Sequence, residues 1–231
     1  KNRLLKQEMT NNIAHELKTP VSSIRGYIET IIEQNNLDPA KQRFFLERAY
    51  SQILRLSDLI RDVALITKTE EASDHFEKES INLRDTVTEV VTDLEVPLKN
   101  SRIIVENKIQ PQVAIEGNHT LLYSIFRNLI DNTISYAGEQ VTIRIENYTE
   151  DNEFYYFSYS DTGRGVEEEH LERIFDRFYR INPGRSRKTG GSGLGLSIVK
   201  NAVIFHKGQI SAKNRKEGGL EFIFSLRKKL F

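Results

Sequence analysis

The sequence predicts an α-helical hairpin followed by an α/β sandwich, on three observations. The first seventy residues contain a single glycine, Gly26, and read at helical period almost throughout. A polar stretch without periodic apolar positions follows at 68–79. Beyond it, helical stretches alternate with runs of β-branched and aromatic residues. Composition removes other classes. Thirty-three Lys and Arg balance 33 Asp and Glu, which argues against a strongly basic nucleic-acid binder, and no nucleic-acid partner is expected. With 38% apolar and 29% charged residues the chain is too hydrophobic for a disordered tail, and no run approaches the roughly 18 apolar residues of a membrane helix. The absence of cysteine excludes disulfides, thiolate metal sites and thiol catalysis.

In the hairpin, Ile13, Leu17, Ile24, Ile28 and Ile31 draw an apolar line along the first helix. Leu46, Ala49, Ile53, Leu56, Ile60, Val63 and Thr67 alternate spacings of three and four along the second, as in the seam of a helical bundle. Between them, Asn35-Asn36-Leu37-Asp38-Pro39 supplies turn chemistry. Two helices alone leave half of each stripe in water, so the seam requires either a second copy, giving a homodimeric four-helix bundle, or the rest of the same chain. The expected organisation is a dimerisation domain at 1–70, a linker at 71–78 and a second domain at 79–231. In that domain, amphipathic stretches near 82–98, 118–137, 167–178 and 193–206 interleave with strand-like runs at 141–145, 154–159 and 220–226.

Chemistry concentrates in the second domain. Seven of the thirteen glycines lie between 163 and 195, in a window that also holds six arginines and Lys188. Glycine lets backbone amides approach a ligand and basic residues neutralise phosphate, so this window suits a polyphosphate, against the plainer reading of a mobile, solvated loop. Gly191, Ser192, Gly193, Leu194, Gly195 and Leu196 lead directly into an amphipathic helix, whose first amides can meet an anion. A dinucleotide fingerprint fails here, because no strand directly precedes these glycines. Asp161 ends a strand beside Gly163 and Gly165 and can accept a hydrogen bond from an exocyclic amino group, or simply make a turn. Asn128 and Asn132, four residues apart, share a helix face, and amide oxygens ligate hard cations such as Mg²⁺; singly, each could be an ordinary surface residue.

In this order, the motifs resemble a sensor histidine kinase of a two-component system, with the ATP-binding fold shared by gyrase, chaperone and mismatch-repair ATPases: a mixed sheet with helices on one face. His15-Glu-Leu-Lys-Thr-Pro20 resembles the phospho-acceptor box, Asn128–Asn132 the N box, Asp161–Gly165 and Gly191–Leu196 the two glycine boxes, and Phe175-Asp-Arg-Phe178-Tyr-Arg180 the F box. The resemblance implies that His15 is the phospho-acceptor, Glu16 the general base and Thr19 the residue orienting water in a phosphatase reaction. It implies ATP and Mg²⁺ as cofactors, with Asn128 on the metal, Asn132 near the phosphates, Tyr136 beside the base and Asp161 reading adenine. Arg180 would approach the transferred phosphate, and a lid from about 181 to 192 would close over the nucleotide. Pro20, unable to donate to the Glu16 carbonyl, is expected to bend the helix one turn after His15. Gyrase-type relatives carry Glu where Asn128 stands, so its absence argues against a dedicated ATPase.

The partners implied are a second copy of the chain, the Asp of a response-regulator receiver domain and an upstream sensor domain. The setting implied is the cytoplasmic portion of a bacterial inner-membrane sensor. The sequence departs from the family pattern at Ser135 in place of Lys, Ser192 in place of Thr, Asn118 in place of Asp and Lys207 in place of Gly. Asn118 can still cap its helix. Ser135 removes a positive charge near the phosphates and motivates the alternative of a phosphatase-dominated or nucleotide-gated switch with weak kinase activity.

Overall fold

The computed structural model describes residues 2–34, 36–71, 76–181 and 191–229. It divides into two compact units, Lys1–Leu65 and Ile66–Phe231.

The first unit is a helical hairpin. Helix α1 (Asn2–Glu33) continues through Pro20, which is buried; one backbone hydrogen bond is lost there without ending the helix. The Thr19 hydroxyl donates to the His15 carbonyl at 3.4 Å and that of Ser23 to the Thr19 carbonyl at 3.1 Å. Helix α2 (Pro39–Glu71) starts on proline, whose missing N–H costs nothing at a first position, after Asp38 accepts the Ala40 N–H at 3.1 Å. Asn35, part of the expected turn, lies outside the described residues. The predicted single seam on α2 separates into two lines. Ala49 is buried and Leu56 and Val63 are half-buried, while Leu46, Ile53 and Ile60 stay 48%, 45% and 55% exposed. Two helices cover only one flank of such a stripe, and the other flank remains apolar and open.

The second unit begins with β1 (Glu79–Asn82), α3 (Leu83–Asp93), α4 (Glu95–Asn100), β2 (Ile104–Asn107), β3 (Ala114–Gly117) and α5 (His119–Tyr136). It continues with β4 (Thr142–Glu150), β5 (Phe154–Asp161), α6 (Gly195–Phe205), β6 (Ile210–Asn214) and β7 (Leu220–Arg227). The main sheet has the order β2-β4-β5-β7-β6, with β2 parallel to β4 and the other pairs antiparallel; β1 and β3 form a separate antiparallel pair. Strict alternation on β7 buries Leu220, Phe222, Phe224 and Leu226. Phe224 stacks on Phe157 of β5 at 5.2 Å and meets Phe126 of α5 at 6.2 Å, so α5 lies on the apolar face of the sheet. Each such ring taken from water contributes roughly 2–3 kcal/mol.

Two expected helices differ. The stretch 82–98 breaks at Leu94 into α3 and α4, because Pro97, tolerated in the first turn of α4, has no N–H to continue α3. The stretch 167–178 forms a single 3-10 turn, Glu168–His170, and then turns rather than a helix. Its end is diverted by a tertiary bond: Phe178, at φ +62°, donates its N–H to the Gly193 carbonyl at 2.8 Å.

Candidate functional site

Helix α5 carries the first cluster. Its start is fixed by Asn118, whose side chain accepts the Leu121 N–H at 3.1 Å. Two and a half turns on, Asn128 donates its amide N–H to the Ser124 carbonyl at 2.8 Å, which orients the amide oxygen away from its own helix. That oxygen lies 2.8 Å from where a Cβ on Gly195 would stand. At the end of α5, the Tyr136 hydroxyl is likewise 2.8 Å from the Cβ position of Gly191. Asn128 and Tyr136 thus each fill space that a side chain in the glycine segment would need. Asn132, one turn beyond Asn128, is half-buried.

The glycine segment leads into α6, whose first turn no side chain caps, leaving its amides disposed for an anion. Leu194 is fully buried and anchors the segment, Leu196 is half-buried, and the Ser192 hydroxyl accepts the Leu194 N–H at 3.2 Å. Gly193, at φ +74°, lies against the F-box backbone: its Cβ position is 2.9 Å from the Phe178 Cα and 3.3 Å from Arg180 Nε. Two left-handed residues therefore lock the two ends of the expected lid together. The lid's residues 182–190 lie outside the described residues.

Asp161 ends β5 and is buried. Its Oδ1 accepts the Gly163 N–H at 2.8 Å and the Leu220 N–H at 3.4 Å, while Oδ2 lies 3.4 Å from the Thr133 hydroxyl of α5. Arg215 donates to the Asp161 carbonyl at 3.0 Å, and Gly219 approaches that carbonyl so closely that any Cβ would collide with it. Gly163 is packed against Ala137 of the α5 terminus, and Gly165, at φ +70°, sits beside Asn214, which pairs with both backbone groups of Val166. The Thr133 hydroxyl also meets that of Tyr159 at 2.7 Å, and Tyr159 donates to the Leu129 carbonyl at 3.0 Å. Burial pushes the Tyr159 hydroxyl well above the usual tyrosine range.

The structure therefore gathers Asn128, Tyr136, Phe178, Arg180, Gly191, Gly193 and Gly195 at one place, with Asp161 and Gly163 tied to α5 through Thr133 and Ala137. His15, Glu16 and Thr19 belong to the hairpin. His15 is exposed; the Glu16 carboxylate, 19% exposed, lies 3.9 Å from the Arg55 guanidinium of α2. Sequence reasoning missed Thr133, Tyr159, Arg215 and Gly219. Tyr159 was within reach, since strand alternation puts it on the same face as Asp161; nothing in the sequence marks Arg215 or Gly219 as neighbours of a residue more than fifty positions away. The donor set suits Mg²⁺: an oriented amide oxygen in a cradle that a Cβ on residue 195 would fill is a hard ligand. A separate cleft of about 240 Å³, lined by Glu79, Asp85, Glu89 and His119 among others, has the wrong charge for a triphosphate.

A mixed-sheet domain with a buried acceptor and an anion-ready helix start, following a hairpin with an exposed histidine, is the arrangement expected of the histidine kinase class. The comparisons agree: residues 5–72 match the His Kinase A (phospho-acceptor) domain, and residues 117–230 match the histidine kinase-, DNA gyrase B- and HSP90-like ATPase family. The chain belongs to the sensor histidine kinases. It is 32% identical over 225 residues to the phosphate regulon sensor protein PhoR of Haemophilus influenzae, covering 97% of this chain and 52% of that protein. Against PhoR of Pseudomonas aeruginosa it is 30% identical, covering 94% and 49%, so the chain spans about half the length of these relatives. Among solved structures, Acinetobacter baumannii histidine kinase AdeS shares the fold with a TM-score of 0.74 at 21% identity, over 93% of this chain and 98% of that one. Histidine kinase ThkA in complex with response regulator protein TrrA matches with a TM-score of 0.70 at 25% identity, over 96% of this chain and 61% of that one.

Proposed function

We propose that this chain phosphorylates its own His15 from Mg-ATP and passes the phosphoryl group to an aspartate of a response-regulator receiver domain. The observation that carries the reading is that the Asn128 amide oxygen lies 2.8 Å from where a Cβ on Gly195 would stand, at the uncapped start of α6 and in the same unit as a buried Asp161. Residues 1–70 are read as the dimerisation and phosphotransfer domain, 71–78 as linker and 79–231 as the ATP-binding domain.

In the reaction, an imidazole nitrogen of His15 attacks the γ-phosphorus, the bond to the β,γ-bridging oxygen breaks, and ADP leaves. Glu16, adjacent on α1, takes the proton from the other ring nitrogen. Asn128 would hold Mg²⁺ through its amide oxygen, and the ion, when bound, would supply neutralisation of charge on the phosphates. Asn132 and the amides of Gly193, Gly195 and Leu196 face the phosphates; Arg180 supplies a cation to the transferred group; Asp161 accepts from the adenine amino group, with Tyr136 and Phe178 beside the nucleotide. An amide does not take up a proton near neutral pH, so Asn128 offers no base to activate water, and transfer to His15 is favoured over hydrolysis.

The open Leu46, Ile53, Ile60 line is the face for a second copy, giving a homodimeric four-helix bundle. Thr19, whose hydroxyl donates to the His15 carbonyl at 3.4 Å, is read as the residue that orients water in dephosphorylation of the regulator. The setting is read as the cytoplasmic side of a membrane-anchored bacterial sensor, with a sensor domain upstream, because the relatives are named sensor proteins.

Incubation with γ-labelled ATP tests the reading. Label that is acid-labile and alkali-stable, absent in His15→Ala and chased onto a purified receiver domain is expected. Nucleotide bound without label would instead support the gated switch that Ser135 suggests.

A further inference from the structure

Among the described residues, the arginines of the hairpin pair with acids in two ways. Arg25, Arg43 and Arg61 each meet a carboxylate three or four positions away on their own helix, and their side chains are 73%, 83% and 78% exposed. Such pairs hold little in water. Arg55 instead reaches from α2 to Glu16 of α1 at 3.9 Å, with the two side chains only 21% and 19% exposed. Solvent and salt screen an attraction so enclosed much less. The pair also fixes a direction. Consecutive residues leave an α-helix about 100° apart, so a Glu16 carboxylate turned inward to α2 leaves the His15 imidazole turned outward, where it is exposed. Base and nucleophile of the proposed reaction thus face apart, the base beside a cation of the opposite helix.

We propose that Arg55 is a positioning residue that restrains autophosphorylation by holding the Glu16 carboxylate against α2 and off the His15 ring. The inference rests on the reading of Glu16 as the general base. To take the ring proton, a carboxylate oxygen must come within about 2.6–3.2 Å of the nitrogen that carries it, and Glu16 leaves the guanidinium to do so. Only hairpins in which the pair is open then react, and the rate is lowered by that fraction. Onward transfer from phosphorylated His15 requires no removal of a ring proton. The restraint therefore acts on the formation of phosphohistidine and not on its use.

The test is the single-turnover rate at which the chain is labelled from saturating γ-labelled MgATP. Arg55→Gln is expected to raise it roughly fivefold, the effect of releasing one partly enclosed ion pair, with half-saturating MgATP unchanged. Arg55→Met, which keeps an unbranched stem for packing, should show the same gain, and Arg55→Lys, which keeps the charge, should stay near the parent. In a Glu16→Gln background Arg55→Gln adds nothing, because Arg55 acts only through that carboxylate. His15 phosphorylated chemically with phosphoramidate should pass its phosphoryl group to a receiver domain equally fast in Arg55→Gln and the parent. Loss of a packing contact can slow labelling but gives no reason for a gain, and thermal melts report the packing directly. An unchanged or lower rate in both Arg55→Gln and Arg55→Met, or a gain that persists without Glu16, overturns the restraint. Glu16→Gln alone separates the two levels: labelling as fast as in the parent defeats the reading of Glu16 as the base, whereas slow labelling there, with no gain in Arg55→Gln, defeats only the restraint.

Discussion

The imidazole of His206 occupies the place where a side chain on Gly117 would begin: a Cβ there would collide with Nε2 and stand 2.8 Å from Cδ2. The ring is fully buried. Its Nδ1 lies 2.7 Å from the Ala202 carbonyl, which can only accept, so Nδ1 carries the proton and Nε2 accepts the Asn118 N–H at 3.3 Å. One neutral imidazole of fixed tautomer thereby ties the end of α6 to the residue that caps α5, the two helices that carry the glycine segment and the asparagines.

Gly117→Ala is expected to destabilise the protein by about 2–3 kcal/mol, because the added methyl must displace an enclosed ring rather than the end of a flexible side chain. Urea denaturation measures it. A change below about 0.5 kcal/mol would mean that the ring shifts freely, contrary to its two hydrogen bonds.

Stability should fall in acid through the same ring. Burial lowers the His206 pKa from 6.5 to about 4, outweighing the opposing effect of its bond to Ala202. The unfolded chain therefore binds a proton that the folded chain does not, throughout the window between those values. The contribution of His206 is complete above about pH 6.5 and is lost as pH falls toward 4, to a total of about 3 kcal/mol. Denaturation midpoints across that range should show nearly one extra proton taken up on unfolding, and His206→Gln should lack it while being less stable at pH 7.5.

Gly193→Ala should weaken nucleotide binding by at least tenfold. Its φ of +74° disfavours any side chain, and the methyl would press on the Phe178 backbone 2.9 Å away, prising apart the base of the expected lid. The melting temperature should move far less than in Gly117→Ala, since Gly193 is only half-buried. Parallel binding and melting curves for the two variants make the comparison.

If the proposed dimer forms through this face, Ile53→Asp should convert it to monomer. Ile53 is 45% exposed at the middle of the open α2 line, so the charge is tolerated in a single hairpin but would be desolvated between two copies. Light scattering behind gel filtration gives the mass directly, and an unchanged dimer would assign the interface to another face.

The hairpin was legible because its elements are long and periodic; Asp38 and Pro39 even mark the start of α2. The strands β4, β5 and β7 were legible for the same reason, whereas β1, β2 and β3, at four residues each, are too short to show a period of two. The helix expected over 167–178 failed on a bond to Gly193, fifteen residues past Phe178, which local sequence does not contain. The site's residue types could be read one by one, since glycine, asparagine and aspartate have a narrow set of uses in such a pattern.

What the sequence by itself determined is the chemical inventory: an exposed-type histidine beside a glutamate, two amides one helical turn apart, a carboxylate at a strand end and glycines leading into a helix. Tertiary structure alone decided which oxygen of Asp161 is spoken for, that Asn128 faces Gly195, and that Phe178 and Gly193 hold each other in left-handed backbone. The physical reason is that residue identity fixes which bonds a group can make, while the direction of a proton or lone pair is settled by neighbours that the chain brings together only when it folds.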